Sequence, residues 1–225
     1  MLFLRKLHKW LGLIIGLQLV LWAVSGVMFA WLDRDAVDAA GSVRTAETSA
    51  LSPTLVKQEP TKWLGDYPAQ EIYDVRAISL ADRWVWRVEL RDRVELRELE
   101  DGALVKVDEE WLRRLALSRY AGGGRLVAAT LQLQPDTASR ATGPVWQAQF
   151  DDPHRTALYF AADDGHFIAA RTASWRLYDF FWMLHTMDYR GRDNFNNPLI
   201  VTIGMAALWL SISGIVLLTG VRVWF

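Results

Sequence analysis

The sequence predicts an α+β membrane protein in which two transmembrane helices flank an extracytoplasmic region of antiparallel sheets packed on helices. Two stretches, Leu11 to Leu32 and Leu199 to Val221, hold no charged residue. About 20 apolar residues in a helix span a hydrocarbon core of roughly 30 Å, so each stretch is long enough to cross a bilayer. Between them, short alternating segments joined by Asp-Gly dipeptides indicate antiparallel strands.

The charges beside the first apolar stretch predict its orientation. Arg5, Lys6 and Lys9 precede it, whereas the residues after it are mainly acidic. The excess of positive charge on the cytoplasmic side predicts a cytoplasmic N-terminus at 1–10 and a first span at 11–32. A second span at 198–222 returns the C-terminus, 223–225, to the cytoplasm.

A cleaved signal peptide is the alternative interpretation of the first stretch. Small residues at 39–42 could offer a cleavage site. The apolar part of a signal peptide usually has about 7 to 15 residues, and this stretch is longer. We therefore expect it to be retained as a membrane span.

The composition narrows the possible chemistry. The chain has 225 residues, no cysteine, four histidines and a formal net charge of -1. Without cysteine there are no disulfides, thiolate metal sites or iron–sulfur clusters, so metal chemistry must use His, carboxylate, Met or Tyr. The near-neutral charge argues against nucleic acid as a partner.

The extracytoplasmic region begins with a linker and continues as a first α+β unit. Residues 33–60 are rich in Ala, Ser, Thr and Pro and lack a clear period, which is typical of a linker. The unit at 61–124 has strands at 71–79 and 83–90, then a hairpin and a helix. The hairpin joins 94–99 to 103–107 through Asp101-Gly102, and Asp108 can cap the helix at 109–120.

A second unit at 125–189 repeats this order of elements. Strands are predicted at 126–133 and 145–150, followed by a hairpin of 155–161 with 166–170 and a helix at 174–189. We expect each unit to pack one antiparallel sheet on one helix. The helix at 174–189 is expected at the outer membrane interface, and a polar connector at 190–197 leads to the second span.

The helix at 174–189 carries a histidine on an aromatic face. Helical spacing places His185 beside Tyr178, Phe181, Trp182 and Tyr189. It is either an interfacial histidine within an aromatic belt or a ligand.

His8, at the inner end of the first span, also has two interpretations. Gly12 and Gly16 follow it at i+4 and i+8. They could form a small-residue packing face, with His8 as an interfacial polar residue. Alternatively, His8 is an axial haem ligand, and the glycines leave room beside the helix for the macrocycle.

His8 and His185 cannot bind the same iron within one chain. The helix from His8 to Trp31 is about 35 Å long, and the two histidines are expected at opposite faces of the bilayer. In a two-fold homodimer, His8 would pair with its symmetry copy on the inner side, and His185 with its copy on the outer side.

The remaining two histidines belong to turns rich in aspartate. Most turn residues of this kind are solvated loop residues. The alternative is a weak site for ferric iron, because carboxylates are hard ligands. Its candidate residues are Asp151, Asp152, His154, Asp163, Asp164 and His166. The sequence has no HExxH, Walker or GxGxxG motif.

Four stretches resemble the PepSY-associated transmembrane family of bacterial inner-membrane proteins. They are Leu7-His8-Lys9-Trp10-Leu11-Gly12 leading to Ser25-Gly26, Asp151-Asp152-Pro153 to Tyr159 with the Asp164-Gly165 turn, Trp182 to Tyr189, and Ser213-Gly214. The resemblance implies PepSY-like α+β units in the periplasm. In family members that act as siderophore or iron reductases, it also implies haem b held by histidines near the membrane faces, which here are His8 and His185. This chain departs from the four-span members in having two spans.

The resulting hypothesis is a haem-binding inner-membrane protein, acting as a homodimer. It would take electrons from an unidentified cytoplasmic donor and reduce periplasmic ferric iron or a ferric chelate. The alternative is a non-enzymatic, membrane-anchored PepSY module that binds a partner or regulates it.

Overall fold

A computed structural model describes residues 2–45, 61–65, 67–68 and 71–219, with the backbone alone at residues 2–4 and 61. The predictions for the rest of the linker, for the end of the second span and for the C-terminus lie outside the described residues. The helices and strands in chain order are α1 Leu2–Trp31, α2 Arg34–Val37, α3 Thr61–Leu64, β1 Ile72–Leu80, β2 Arg83–Leu90, β3 Val94–Glu98, β4 Leu104–Val105, α4 Glu109–Arg119, β5 Leu126–Gln132, β6 Val145–Phe150, β7 Ala157–Ala161, β8 Phe167–Arg171, α5 Ala173–Thr186 and α6 Pro198–Thr219.

The chain forms two compact units. The helical unit contains the described residues of 1–33 and 176–225, and the sheet unit contains those of 34–175. Two helices of the helical unit, over Arg5–Trp31 and Pro198–Thr219, are long and apolar enough to cross a membrane. They run antiparallel, because His8 lies opposite Ser213 and Gly12 lies opposite Leu210.

The sheet unit contains two four-stranded antiparallel sheets with the same meander topology. Their strand orders are β1-β2-β3-β4 and β5-β6-β7-β8. The first sheet is covered on both faces. Val85 on one face belongs to the core that contains α4, and Val88 on the other face packs with Trp63 of α3. This explains why β2 carries large apolar residues at both odd and even positions.

Helix α4 contributes to a core that both sheets share. Asp108 caps this helix by accepting a hydrogen bond from the backbone N–H of Trp111 at 2.8 Å. The residues buried in the core come from α4 (Trp111, Leu112, Leu115 and Ala116), from the first sheet (Leu80, Val85 and Leu96) and from the second sheet (Ala148, Phe150, Leu158 and Phe160). The two sheets thus share one helix and one core, whereas the sequence suggested a separate helix for each sheet.

Two further expectations need correction. The first part of the linker is ordered: α2 is followed by a bridge between Val43 and Tyr120, so the segment belongs to the sheet unit. Helix α5 ends at Thr186 and not at residue 189, because Met187 adopts a positive φ of 54°. The Asp188 carboxylate then accepts backbone N–H groups from the four residues Arg190, Gly191, Asp193 and Asn194, which turns the chain towards α6.

Gly102 is required by the β3–β4 hairpin, so Gly102→Ala should destabilise the sheet unit. Its φ is +73°, and an added Cβ would overlap the indole of Trp63. We expect a loss of about 2 kcal/mol or more in the free energy of unfolding, from backbone strain and overpacking. Urea unfolding of the full chain in nanodiscs, followed by tryptophan fluorescence, measures it. Gly123→Ala is the control, since nothing lies within 4 Å of its Cβ position, and an equal midpoint for the two variants would contradict the prediction.

Candidate functional site: two histidine–serine pairs in the helical unit

His8 of α1 is hydrogen-bonded to a serine of α6. Its Nδ1 lies 2.8 Å from the hydroxyl oxygen of Ser213. The next residue is Gly214, where an added Cβ would lie 3.3 Å from Cε1 of His8. The glycine therefore gives the imidazole room to lie against the α6 backbone.

His185 of α5 makes the equivalent contact with α1. Its Nδ1 lies 2.7 Å from the hydroxyl oxygen of Ser25, which is fully buried. The aromatic rings of Trp22 and Phe29 flank the imidazole, with centroid distances of 6.2 and 5.5 Å. Phe29 also contacts Tyr178 and Trp182, so the aromatic face predicted for α5 packs on α1.

The serine hydroxyls favour one tautomer of each histidine. A hydroxyl has one hydrogen to donate. Ser25 donates it to the carbonyl of Leu21 at 2.8 Å, and Ser213 donates to Leu210 at 3.0 Å. Each serine oxygen is then left as the acceptor from Nδ1–H. A neutral imidazole with its proton on Nδ1 has a lone pair on Nε2, and no hydrogen bond engages Nε2 of either histidine among the described residues.

The C-terminal end of α5 is anchored beside this pair. The last carbonyls of a helix have no partner within the helix and need one elsewhere. The indole N–H of Trp22 donates to the carbonyl of His185 at 2.8 Å, and Gln18 donates to that of Leu184 at 3.4 Å. The Asn197 side chain donates to the carbonyl of Thr186 at 2.8 Å. These bonds hold His185 at one position along α1.

His185 does not lie at the end of the first span, where the sequence predicted it. Ser25 precedes Trp31 by six residues, so His185 lies about 9 Å along α1 from the end of that helix. It therefore lies beside the apolar stretch of α1, not beyond its end. The axial distance between the two histidine–serine pairs is about 25 Å, compared with the 35 Å expected from the sequence. This distance still prevents the two imidazoles of one chain from binding the same iron.

The glycines expected beside His8 differ in their surroundings. Gly12 faces α6, where an added Cβ would lie 3.7 Å from the side chain of Leu210. Gly16 has nothing within 4 Å of its Cβ position. Gly12 thus packs against α6, whereas Gly16 leaves open space on the surface of the helix.

The six residues considered for ferric iron do not form one site. Asp151, Asp152 and His154 precede β7, whereas Asp163, Asp164 and His166 follow it. The five residues of β7 separate the two groups by about 15 Å. In the first group, buried Asp152 accepts hydrogen bonds from Tyr120 and from the backbone and hydroxyl of Thr156, which holds the turn.

In the second group, the central carboxylate already has partners. The ligand atoms of Asp163, Asp164 and His166 lie within 4.8 Å of one another. Asp164, however, is buried and accepts hydrogen bonds from Arg87 Nε at 2.8 Å and from His166 Nδ1 at 2.6 Å. Burial alone would raise the pKa of Asp164, but these hydrogen bonds outweigh it and hold the pKa well below its usual range. The same hydrogen bond raises the pKa of His166. This carboxylate therefore joins the first sheet to the second.

Reasoning from the sequence missed both serines as partners of the histidines. A signal was present, because the two spans share a Leu-Trp pair followed by Ser-Gly: Leu21-Trp22 with Ser25-Gly26, and Leu208-Trp209 with Ser213-Gly214. In the structure, the serine of each motif binds a histidine from another helix. The short repeat thus marks the two serines that contact a histidine.

The fold and the two histidine–serine pairs define a membrane protein whose apolar helices carry a folded α+β unit between them. A family model, the PepSY-associated TM region, matches residues 2–222 of the chain. The chain therefore belongs to this family. No curated protein and no solved structure matches it significantly.

Proposed function

We propose that the protein binds haem b at His8 and at His185 and transfers electrons across the bacterial inner membrane. The observation that carries the proposal is the pair of equivalent histidine–serine contacts. With each serine accepting from Nδ1–H, the Nε2 lone pair stays available for a metal. Histidines that bind metals usually donate their other ring N–H in this way, which sets the tautomer and the ring orientation.

The surroundings of the two imidazoles suit a flat apolar group. His185 is flanked by aromatic rings, and Gly16 leaves an open surface on α1 about two turns from His8. Bound haem would supply a reversible one-electron redox couple. The protein's contribution would be to hold the imidazoles, to separate the two sites and to exclude water.

A homodimer would complete both sites. One chain offers one imidazole at each position, and about 25 Å separates the positions. A second copy related by a two-fold axis would bring a second His8 and a second His185, giving four spans and two bis-imidazole sites.

The direction of transfer follows from the charges beside α1. Arg5, Lys6 and Lys9 favour a cytoplasmic N-terminus, which would place the sheet unit in the periplasm and both termini in the cytoplasm. A cytoplasmic donor would then reduce the protein, and periplasmic ferric iron or a ferric chelate would be the acceptor. The protein would act as a ferric reductase.

Visible spectra of the full chain test this function. For the wild type, purified in detergent from haem-replete cells, we expect sharp b-type bands after reduction with dithionite. His8→Ala and His185→Ala should each remove one of the two haem populations, because each variant deletes the ligand at one site. His154→Ala is the control, since this histidine lies in a turn of the sheet unit, and it should keep both populations.

A colourless wild type would contradict the haem proposal and favour the second candidate, a membrane-anchored interaction module. A specific observation supports that alternative. Three large apolar side chains are exposed along and just beyond β5, namely Val127, Leu131 and Leu133. Exposed apolar side chains clustered in this way are typical of surfaces that bind another protein.

A further inference from the structure

The sheet unit contains a cleft of about 590 Å³ that the haem proposal does not use. It lies at the C-terminal end of α4, beside the β1–β2 turn and the β7–β8 turn. The buried side chains of Leu80, Leu115 and Phe160 form an apolar part of its wall. Small-molecule sites typically measure about 300 to 1,000 Å³. The volume of the cleft therefore suits a small organic ligand.

Two arginines line this cleft from paired segments of the chain. The backbone N–H of Arg44 donates to the carbonyl of Arg119 at 2.7 Å, and the N–H of Ala121 donates to the carbonyl of Ser42 at 3.0 Å. Nη1 of Arg119 donates in turn to the carbonyl of Arg44 at 3.1 Å. These bonds hold the two arginines side by side.

Neither arginine has a carboxylate partner among the residues that the structure describes. Nη1 of Arg44 only approaches the carbonyl of Leu117, at 3.5 Å, and the guanidinium of Arg119 lies over the ring of Phe167 at 5.2 Å. Burial without a compensating charge lowers the pKa of Arg119. Within the described parts of the chain, no Asp or Glu lines the cleft. Two positive charges therefore face it uncompensated, which favours an anion.

An arginine at the C-terminal end of a helix can also serve the last carbonyls of that helix. In α4, other groups already do so. The Tyr120 N–H donates to the Ala116 carbonyl at 2.8 Å, and the Ser118 hydroxyl donates to that of Leu115 at 2.8 Å. A guanidinium has five N–H donors. Most of those on Arg44 and Arg119 thus remain available to a ligand.

A third basic side chain in the cleft, His166, is already balanced. Its Nδ1 lies 2.6 Å from the Asp164 carboxylate, and this hydrogen bond raises the pKa of His166. Asp164 also accepts from Arg87, which forms a second ion pair with Glu89 at 2.8 Å. These four groups offset one another, so the excess positive charge belongs to the two arginines.

We propose that this cleft binds a small organic phosphate monoester, with the phosphate at Arg44 and Arg119 and the apolar body against Leu115 and Phe160. A phosphate monoester carries nearly two negative charges at neutral pH, which match the two guanidinium groups. Arginine also binds phosphate through two parallel hydrogen bonds. The proposal does not depend on haem, since every residue that carries it belongs to the sheet unit.

The test uses phenyl phosphate and phenyl sulfate, which have nearly the same shape but differ by about one negative charge at slightly alkaline pH. Binding to the full chain in nanodiscs of zwitterionic lipid is measured by equilibrium dialysis, with empty nanodiscs as the blank. We expect wild type to bind the phosphate about 10-fold more tightly than the sulfate. Inorganic phosphate should compete more weakly than phenyl phosphate, because it lacks the apolar body.

Arg44→Gln and Arg119→Gln should each reduce the preference for the phosphate several-fold, and the double variant should remove it. Arg44→Lys keeps the charge and should retain most of the preference. Arg113→Gln is the matched control, since Arg113 also lies on α4 but pairs with Glu109 at 2.8 Å and does not line the cleft. This variant should bind both probes as wild type does.

Urea unfolding of each variant verifies that it is folded under the dialysis conditions. The Arg44 side chain is exposed, so Arg44→Gln should unfold at the same urea concentration as wild type and provides a test even if Arg119→Gln is unstable. Equal affinity of wild type for the phosphate and the sulfate, phosphate binding no greater than to empty nanodiscs, or a preference unchanged in Arg44→Gln would each overturn the proposal.

Discussion

Replacing Ser213 by alanine is expected to weaken the proposed haem binding at His8 by about 10- to 100-fold, and Ser25→Ala should do the same at His185. The alanine removes the acceptor for Nδ1–H, so the imidazole loses its fixed orientation and the preference for the tautomer with a free Nε2. Loss of a partner of this kind typically lowers metal affinity by that factor. Titration of haem into the haem-free protein in nanodiscs, followed by absorbance, measures the affinity.

Alanine at these positions should leave the helices intact, because it is a strong helix former and the serine hydroxyls bond back to their own helices. Ser211→Ala is the control on α6: its hydroxyl donates to the Ala207 carbonyl and contacts no histidine. Side-chain ¹⁵N shifts of the haem-free protein provide a second measurement. They should show Nδ1–H imidazoles in wild type and a tautomer mixture in the variants. Unchanged shifts in both serine variants would contradict the assigned tautomers.

The second large effect is expected on stability, from Asp164→Ala. Its carboxylate is 2% exposed and pairs with Arg87, which is 15% exposed. Removing one partner of a buried ion pair typically costs about 3–5 kcal/mol, and the lower end of this range applies here because Arg87 keeps an ion pair with the exposed Glu89 at 2.8 Å. We expect a loss of this size in the free energy of unfolding of the sheet unit. Urea unfolding of the full chain in nanodiscs measures it.

Asp163→Ala is the control, since its exposed carboxylate accepts the N–H of Asp164 and its loss should cost about 1 kcal/mol. The stabilisation from Asp164 also depends on pH. Burial raises the pKa of Asp164, but its hydrogen bonds lower the pKa by more, so the pKa lies below its usual value. Its contribution is therefore fully present above about pH 4 and is lost as the pH falls through the folded-state pKa. The wild type should lose this stabilisation in acid, whereas the Asp164→Ala variant, which lacks the carboxylate, should not. At neutral pH, a free energy of unfolding of the variant within 1 kcal/mol of wild type would contradict the prediction.

Patterns within short segments predicted most of the secondary structure. Apolar stretches without charge predicted α1 and α6, and the Asp-Gly turns with alternating residues predicted antiparallel strands and a hairpin in each sheet. The strand from Val145 to Phe150 has the predicted bounds. These features depend on interactions between residues close in the chain, such as the helical repeat, turn geometry and capping by Asp108.

The packing of the helices was not predictable in this way. The sequence suggested one helix for each sheet, but α4 contributes to the core of both sheets and α5 packs from Arg176 onwards with α1. An apolar or aromatic face shows that a helix must pack, but it does not specify the partner. Specific contacts determine that α5 packs on α1. Phe29 contacts Tyr178, and the side chains of Gln18 and Trp22 donate hydrogen bonds to carbonyls at the end of α5.

The sequence by itself determined the class of protein, the two apolar helices and the four histidines that could act as ligands. Only the tertiary structure showed that His8 meets Ser213 and His185 meets Ser25, since each pair joins residues at least 160 positions apart. The same holds for Asp151 and Asp163. The sequence grouped them because their turns have similar composition, but β7 separates them in the structure. Residue type limits the chemistry available to a side chain, but the distance between side chains from different elements depends on how those elements pack.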